Sequence, residues 1–474
     1  GQAGNAGASG GSQDTGVLSI ESGGTGAALI NQPVAPLVIR LKDKGGQPLE
    51  GRTVSIKAPV GALAEPAEAI TSSLGKVTFQ LRLGRTIGDQ EFTLSEGTSP
   101  TLSVKLQATE PAPGTVIPIV NATASGGEFL TATTATGASP PQMTAMSVAK
   151  DGTLYVSPNG LYIYRVTPDG SWERVAGDPA KTPQNGAPSQ SSGDGGLAKD
   201  ATFNTIYDVV LDEASNKLYI ADLQLPGYFD QIRVVDLATG EIDLLAGNGI
   251  SLEGPGYGDN GPAAQAKIPH GAGVRMHLSP DKKLHVKDGS QRFRQIDLTT
   301  KIISTWLASG LVNNDALRLC DLNVGTGAVF HTNGDAFFLT PATTPTDNCA
   351  ASGGTVIQAK GTQFSPLTLL VTSGQPLAAE GDASKAGARD SSDLIVDGAG
   401  NLFVAAVSGV FHIDMGTKKL SHVMGDFSQA KIDGTFGPAK DAKASPQRLA
   451  VDGAGTVYVL EAVTVRALWK AGSP

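Results

Sequence analysis

Beyond residue 143 the chain repeats one alternation of apolar and polar positions. An apolar strand is followed by a tight turn and a second strand, with an aromatic or His after that strand's first apolar residue. The copies read SVAKDGTLYVS, VVLDEASNKLYIAD, MHLSPDKKLHVKD, AVFHTNGDAFFLT, LIVDGAGNLFVAA and LAVDGAGTVYVLE. Tyr155, Tyr219, His285, Phe338, Phe403 and Tyr458 align, at separations of 64, 66, 53, 65 and 55 residues. Period-two alternation bounded by Gly/Asp/Asn turns marks half-buried strands. Most copies continue with a third strand (YIYRVTPDG, QIRVVDLATG, RFRQIDLTT, VFHIDMGTKK) and a fourth (WERVAGD, EIDLLAGN, IISTWLASG, LSHVMGD). Four antiparallel strands per unit describe a propeller blade, so six copies predict a six-bladed β-propeller over 143–474. The uneven spacing falls between blades, where loops lengthen at little entropic cost.

The sixth copy stops after three strands, at VRALWKAGSP. A strand-like run, Thr115-Val116-Ile117-Pro118-Ile119-Val120-Asn121, precedes the first copy inside the Pro/Thr/Ala/Gly-rich connector 109–142. Supplied as the missing fourth strand, it would join the two ends of the ring and cover an open edge. Pro118 suits an edge strand, where no ladder N–H is needed.

Residues 15–108 carry a different pattern of short alternating strands with turns every 8–12 residues. Val54 and Ile56, then Val77, Phe79 and Leu81, then Leu102, Val104 and Leu106 fall on single faces. This spacing predicts a β-sandwich, and the fold class is therefore all-β. Residues 1–14, GQAGNAGASGGSQD, are small or polar and read as a flexible tether.

Composition narrows the picture. Of 474 residues, 60 are Gly and 28 Pro, which excludes a helical bundle or coiled coil. The 40% hydrophobic share excludes global disorder. A formal charge of −9 with scattered Lys and Arg leaves no basic stripe for nucleic acid. No run of 18 apolar residues is present to span a bilayer. The chain begins at Gly1, so a removed leader, with a lipid anchor upstream of Gly1, is an expectation. Cys320 and Cys349 are too few for a zinc site. They read either as two buried thiols or as one disulfide of an exported protein, and the disulfide is favoured.

Two stretches resemble known families. PLVIRLKDKGGQPLEGRTVSIKAPVGAL, TSSLGKVTFQLRLGRTIGDQEFTLS and LSVKLQA resemble bacterial immunoglobulin-like domains of the invasin and intimin type. That resemblance implies a rigid spacer on an outer surface. SGDGGLAKDATFN, YGDNGPAAQAKIPHG, IDGTFGPAKDAKASPQRLAVDGAGTVYV and ARDSSDLIVDGAGNLFVAA resemble NHL repeats over about 143–472. The NHL resemblance implies a propeller that serves as a binding platform and, less often, as an enzyme. The fourth unit departs most, lacking the GDGG element and carrying the insert 341–355 with Cys349.

The GDGG elements lack the Gly-Lys-Ser/Thr of a phosphate loop, so Asp194 and Asp259 read as turn residues bonding nearby amides. Aligned copies place Met146, Asp208, Gly273, Gly327, Asp393 and Arg448 where the innermost strands begin, at the mouth of the central channel. Tyr207, His270, Asn323 and Gln447 flank them. Six-bladed propellers with hydrolase or lyase activity often hold a divalent metal at that mouth. Asp208, Asn323 and Asp393 are the candidate ligands, calcium the candidate ion, and His270 the candidate base. The bland alternative is a solvated or salt-bridged ring in which Arg448 pairs with Asp393. Tyr228, Phe229 and Tyr257, in Gly/Pro-flanked loops, are candidate rim contacts for a sugar or protein. Trp172, Trp306 and Trp469 read as core.

The sequence contains no His-Glu-x-x-His, Gly-x-Ser-x-Gly or Cys-x-x-Cys. The expectation is therefore an extracellular, bacterial cell-surface binding or adhesion protein that engages a protein or glycan. A secreted metal-dependent propeller hydrolase or lyase is the alternative, and a structural subunit of a surface assembly a second.

Overall fold

The structure is a computed structural model. It describes residues 15–121, 142–181, 191–224, 229–247, 257–270, 274–289, 292–308, 328–340, 355–359, 368–371, 380–383, 391–407, 409–426 and 436–470. Cys320, Cys349, Asn323 and Tyr228 lie outside them, as do Gly273 and Gly327. Among the described residues no helix is long and apolar enough to cross a membrane. The chain forms two compact units, the first ending at Pro111 and the second beginning at Ala112.

The first unit holds two sheets. One orders Val17–Ser22, Leu37–Lys42, Lys76–Arg82 and Leu63–Glu65. The other orders Ala27–Leu29, Leu102–Thr109, Gly88–Ser95, Thr53–Lys57 and Glu68–Ile70. Alternate residues of both sheets are buried, among them Leu37, Ile39, Leu41, Val77 and Phe79 in the first and Val54, Phe92, Leu94 and Val104 in the second. The period-two pattern of the sequence thus sets which faces leave water.

The second unit is a six-bladed propeller. Its blades begin with the innermost strands Met143–Val148, Ile206–Asp212, Arg275–Leu278, Ala328–Phe330, Ser391–Val396 and Arg448–Val451. Each innermost strand contacts the next, and that of blade 6 contacts that of blade 1, so the ring closes. Within every blade successive strands pair antiparallel. Blade 6 takes its outer strand from the start of the unit. Thr115–Asn121 runs antiparallel to Thr464–Leu468, with Ile117 opposite Ala467 and Val120 opposite Val465. The register shifts between Pro118 and Val120, which is where a residue without an N–H is tolerated.

The linkers before blades 2, 3, 5 and 6 fold back as short fifth strands. Gly196–Leu197, Gly261–Pro262 and Gly381–Asp382 pair with the outer strands of blades 2, 3 and 5, and Gly437–Pro438 pairs with the closing strand. Gly193 opens the first of these turns at φ +100, and a Cβ there would meet Ala201 Cα at 2.9 Å. Gly258 does the same at φ +82, with Ala266 Cα at 3.0 Å. The GD pairs of the sequence therefore reflect close backbone approach.

The apolar core lies in the seams between blades. Tyr155 and Ile163 of blade 1 pack with Phe203, Ile206 and Leu218 of blade 2. Tyr219 and Ile232 pack with Met276 and Leu284 of blade 3. Phe337 faces Val404 and Phe411 of blade 5, and Tyr458 faces Met146 and Val156 of blade 1. Each such side chain contributes roughly 1.5–3 kcal/mol relative to exposure. The aromatic slot thus points to the next blade. In blade 4 that role belongs to Phe337, not Phe338, whose ring instead meets Trp306 at 5.6 Å. His285 fills the slot in blade 3, its ring 4.3 Å from Trp306 and 4.4 Å from Phe330, and burial pulls its imidazole down to about 3. Trp469 is buried, but Trp172 is 46% exposed, with its ring edge-on to Tyr164 at 5.7 Å.

Three arginines are fully buried, on the third strands of blades 2, 3 and 6. Arg233 Nε donates to Asp194 Oδ1 at 2.8 Å and Arg294 Nε to Asp259 Oδ1 at 2.9 Å. Asp194 and Asp259 are therefore partners of a buried guanidinium, not acceptors for neighbouring amides. The remaining guanidinium N–H groups donate to linker carbonyls: Thr202 and Ser192 in blade 2, Lys267 and Tyr257 in blade 3. In blade 6 Arg466 pairs with buried Glu461 at 2.6 Å and donates to the Lys443 carbonyl at 2.7 Å. Each arginine pins its linker onto its blade. Glu461→Ala should lower unfolding free energy by about 3–5 kcal/mol, since it strands a buried charge. Glu461→Ala with Arg466→Met should recover much of that loss, and urea titration of the two variants measures both.

Candidate functional site at the channel mouth

Strand pairing fixes which residues surround the axis. Tyr155, Tyr219, His285, Phe403 and Tyr458 stand opposite Ser147, Val210, His277, Ile395 and Ala450. Two residues earlier, at the beginning of each innermost strand, lie Ala145, Asp208, Arg275, Asp393 and Arg448. The ring position in blade 1 is thus Ala145, not Met146, and in blade 3 it is Arg275; Gly273 lies outside the described residues. Blade 3 misleads because its first strand is only four residues long, Arg275–Leu278, and its preceding segment HGAG supplies no alternation to fix register.

The corrected ring has a repeated latch. Met276 N donates to Asp208 Oδ2 at 2.8 Å, and Leu449 N donates to Asp393 Oδ2 at 2.8 Å. In both cases the carboxylate of one blade grips the residue after the arginine of the next. Blades 2 and 5 are opposite one another in a ring of six, as are blades 3 and 6, so the two latches are related by an approximate twofold about the axis. Arg448 does not pair with Asp393. Its Nη2 donates to the Tyr207 carbonyl at 3.0 Å, a bond that joins blade 6 to blade 2.

Beside this ring lies a second cluster. His270, just ahead of blade 3, places Nδ1 at 3.1 Å from Oδ1 and 3.3 Å from Oδ2 of Asp230, which begins the third strand of blade 2. The Tyr207 ring lies 5.2 Å from the imidazole. Antiparallel pairing explains the meeting, since first strands begin where third strands begin. A backbone bridge between Phe229 and Pro269 holds the pair in place. Lys267 Nζ lies 4.3 Å from the Phe229 ring centre and 6.0 Å from that of Tyr257, and Arg292 covers Tyr257 at 4.9 Å. The rim aromatics and the mouth residues thus form one continuous patch along the seam of blades 2 and 3. Asp230 and Arg275 were not foreseen from sequence. Asp230 reads there as an ordinary polar residue at the edge of FDQIRVVD.

Electrostatics follow from burial. The hydrogen bond to Asp230 raises the His270 imidazole above its ordinary value. Burial raises Asp230, with His270 opposing the shift. Burial likewise raises Asp208, against the nearby charge of Arg275, and lifts Asp393 to about 7 against the same charge. Lys287, opposite Arg275 in the strand pair, is pulled down to about 8 by burial and by that arginine. His277 falls to about 4 for want of solvation. A divalent ion would need the oxygens of Asp208 and Asp393, and in each residue one of these is held by an N–H of the next blade. That arrangement fits a structural latch better than a cation cradle. Among the described residues no three His, Cys, Asp or Glu side chains gather at one point.

Neither a protein-family model nor a curated protein sequence matches the chain. Among solved structures, a protein of unknown function from Bacteroides thetaiotaomicron is 15% identical, with 95% of this chain and 97% of that one covered and a TM-score of 0.48. An auxiliary nutrient-binding protein from the same bacterium is 8% identical, over 95% and 97%, with a TM-score of 0.46. A gluconolactonase from Xanthomonas campestris is 11% identical, over 69% and 85%, with a TM-score of 0.38. The blade assignment and the site rest on this chain's own pairings and contacts.

The Asp393 latch has a pH signature. Its folded value, about 7, lies above the ordinary 3.8, so the native state binds the proton more tightly and stability falls as pH rises from about 4 to about 7. Asp393→Asn keeps an acceptor for the Leu449 N–H without the charge. Relative to this variant, the parent chain should lose up to about 1.4 kcal/mol per pH unit across that window and nothing further above it. Denaturant titrations at pH 4.5, 6 and 8 read the difference.

Proposed function

We propose that this chain is a binding protein of a bacterial cell surface, in which the propeller engages a glycan or protein along the seam of blades 2 and 3. In this reading the first unit is an invasin/intimin-type immunoglobulin-like spacer and the propeller is of the NHL type. The observation that carries it is the continuity of Tyr207, His270, Asp230 and Phe229 with Lys267 and Tyr257. Half-buried rings held by a backbone bridge, beside cations that lie over them, offer flat apolar surface and charge on a rigid support. Such sites contact sugars and protein side chains with little ordering cost. The ring carboxylates support the same reading, because their engagement with backbone N–H groups serves blade-to-blade cohesion.

The test is a glycan array together with capture from surface extracts, run with the parent chain, Tyr207→Ala and His270→Ala. Either substitution should weaken capture by at least about tenfold, or 1.4 kcal/mol; Tyr207→Ala should leave the melting temperature nearly unchanged, while His270→Ala should also lower it, because buried Asp230 loses its partner. Undiminished capture by both variants would move the binding surface elsewhere.

A further inference from the structure

Buried arginines in this propeller follow a rule with one exception. Arg233, Arg294 and Arg466 each hold a carboxylate of the chain at 2.8, 2.8 and 2.6 Å. Arg448 is 8% exposed, so it too is more than nine-tenths buried. Its Nη2 has the Tyr207 carbonyl, but its Nη1 is buried without a hydrogen-bond partner, and no described carboxylate forms an ion pair with it. An isolated buried guanidinium is costly, and chains that retain one generally supply an anion. Asp393, on the neighbouring blade, is held by the N–H of Leu449, the residue after Arg448.

Arg448 sits at the beginning of an innermost strand, at the mouth, and is bonded to the residue whose ring lies against His270. We infer that Arg448 is the anchor for a carboxylate brought by the ligand, and that the ligand is an acidic sugar whose ring lies against Tyr207. The guanidinium supplies directional N–H donors for the carboxylate. The half-buried Tyr207 ring supplies the flat apolar face that a pyranose covers. His270, raised by its bond to Asp230, adds positive charge beside that ring when protonated. This assignment rests on the proposed binding role of the same seam and adds the class of ligand.

Isothermal titration of the full chain with glucuronate, glucose and inorganic phosphate tests it, on the parent, Arg448→Met and Arg448→Lys. Glucuronate should bind the parent at least about tenfold more tightly than glucose or phosphate. Arg448→Met should abolish that preference, and Arg448→Lys should retain part of it. Without ligand, Arg448→Met should melt at or above the parent temperature, because it removes an unpaired buried charge. A purely structural arginine predicts the reverse, so a clear fall in melting temperature for both variants would overturn the assignment. It would also be overturned by the absence of glucuronate binding, by equal binding of glucose or phosphate, or by full binding to Arg448→Met. Those outcomes leave the proposed binding seam standing if Tyr207→Ala or His270→Ala still weakens capture on the array; undiminished capture by both overturns the seam itself.

Discussion

Antiparallel pairing of Thr115–Asn121 with Thr464–Leu468 is the constraint on which the propeller depends. Each blade buries its apolar faces against its neighbours, so an open ring would leave two faces and a strand edge in water. The pairing closes that gap with residues from both ends of the unit. Thr464 Oγ1 adds a bond to the Val120 carbonyl at 2.7 Å, and Trp469 N one to the Thr115 carbonyl at 2.8 Å. The last seam then forms, with Val120 beside Met143, Tyr164 and Tyr458. The positions of all mouth residues follow from this closure, since an unclosed ring would not hold Arg448 of blade 6 against Tyr207 of blade 2.

Polar contacts divide into two kinds in this unit. Arg233, Arg294 and Arg466 are matched by carboxylates and carbonyls and act as rivets between linker and blade. Asp208 and Asp393 are matched by N–H groups and act as latches between blades. At the mouth the matching is incomplete at Arg448 Nη1, and beside it the rings of His270 and Tyr207 are partly exposed above buried Asp230. A buried guanidinium with no carboxylate of the chain to pair it, at the mouth of the channel, is where recognition chemistry is expected.

Much of this architecture was legible in the chain. Alternation over LYVS, LYIAD, LFVAA and VYVL, each preceded by a tight turn, marks the second strands, and their aromatic slot marks the seams. The run at 115–121 reads as a strand for the same reason. Register was less legible. Blade 3 offers only Arg275–Leu278 after a glycine-rich segment, so alternation alone puts the ring position at Gly273 rather than Arg275, and where two phenylalanines adjoin it selects Phe338 rather than Phe337. The buried arginines were hidden because arginine ordinarily reads as surface and its partner lies 39 residues away for Arg233 and 35 for Arg294. His270, Tyr207 and Arg448 could be named from their place before the innermost strands. Asp230 could not, because only folding brings a third-strand residue against the loop of the next blade.

Hydrogen–deuterium exchange on the full chain tests closure most directly. If Thr115–Asn121 completes blade 6, the amides of Ile117 and Val465 should exchange as slowly as those of Val156 and Ile220 in the cores of blades 1 and 2, and should be released only with global unfolding. Rapid exchange at Ile117 and Val465, with Val156 and Ile220 still protected, would show the ring open and contradict the placement of every residue at its mouth.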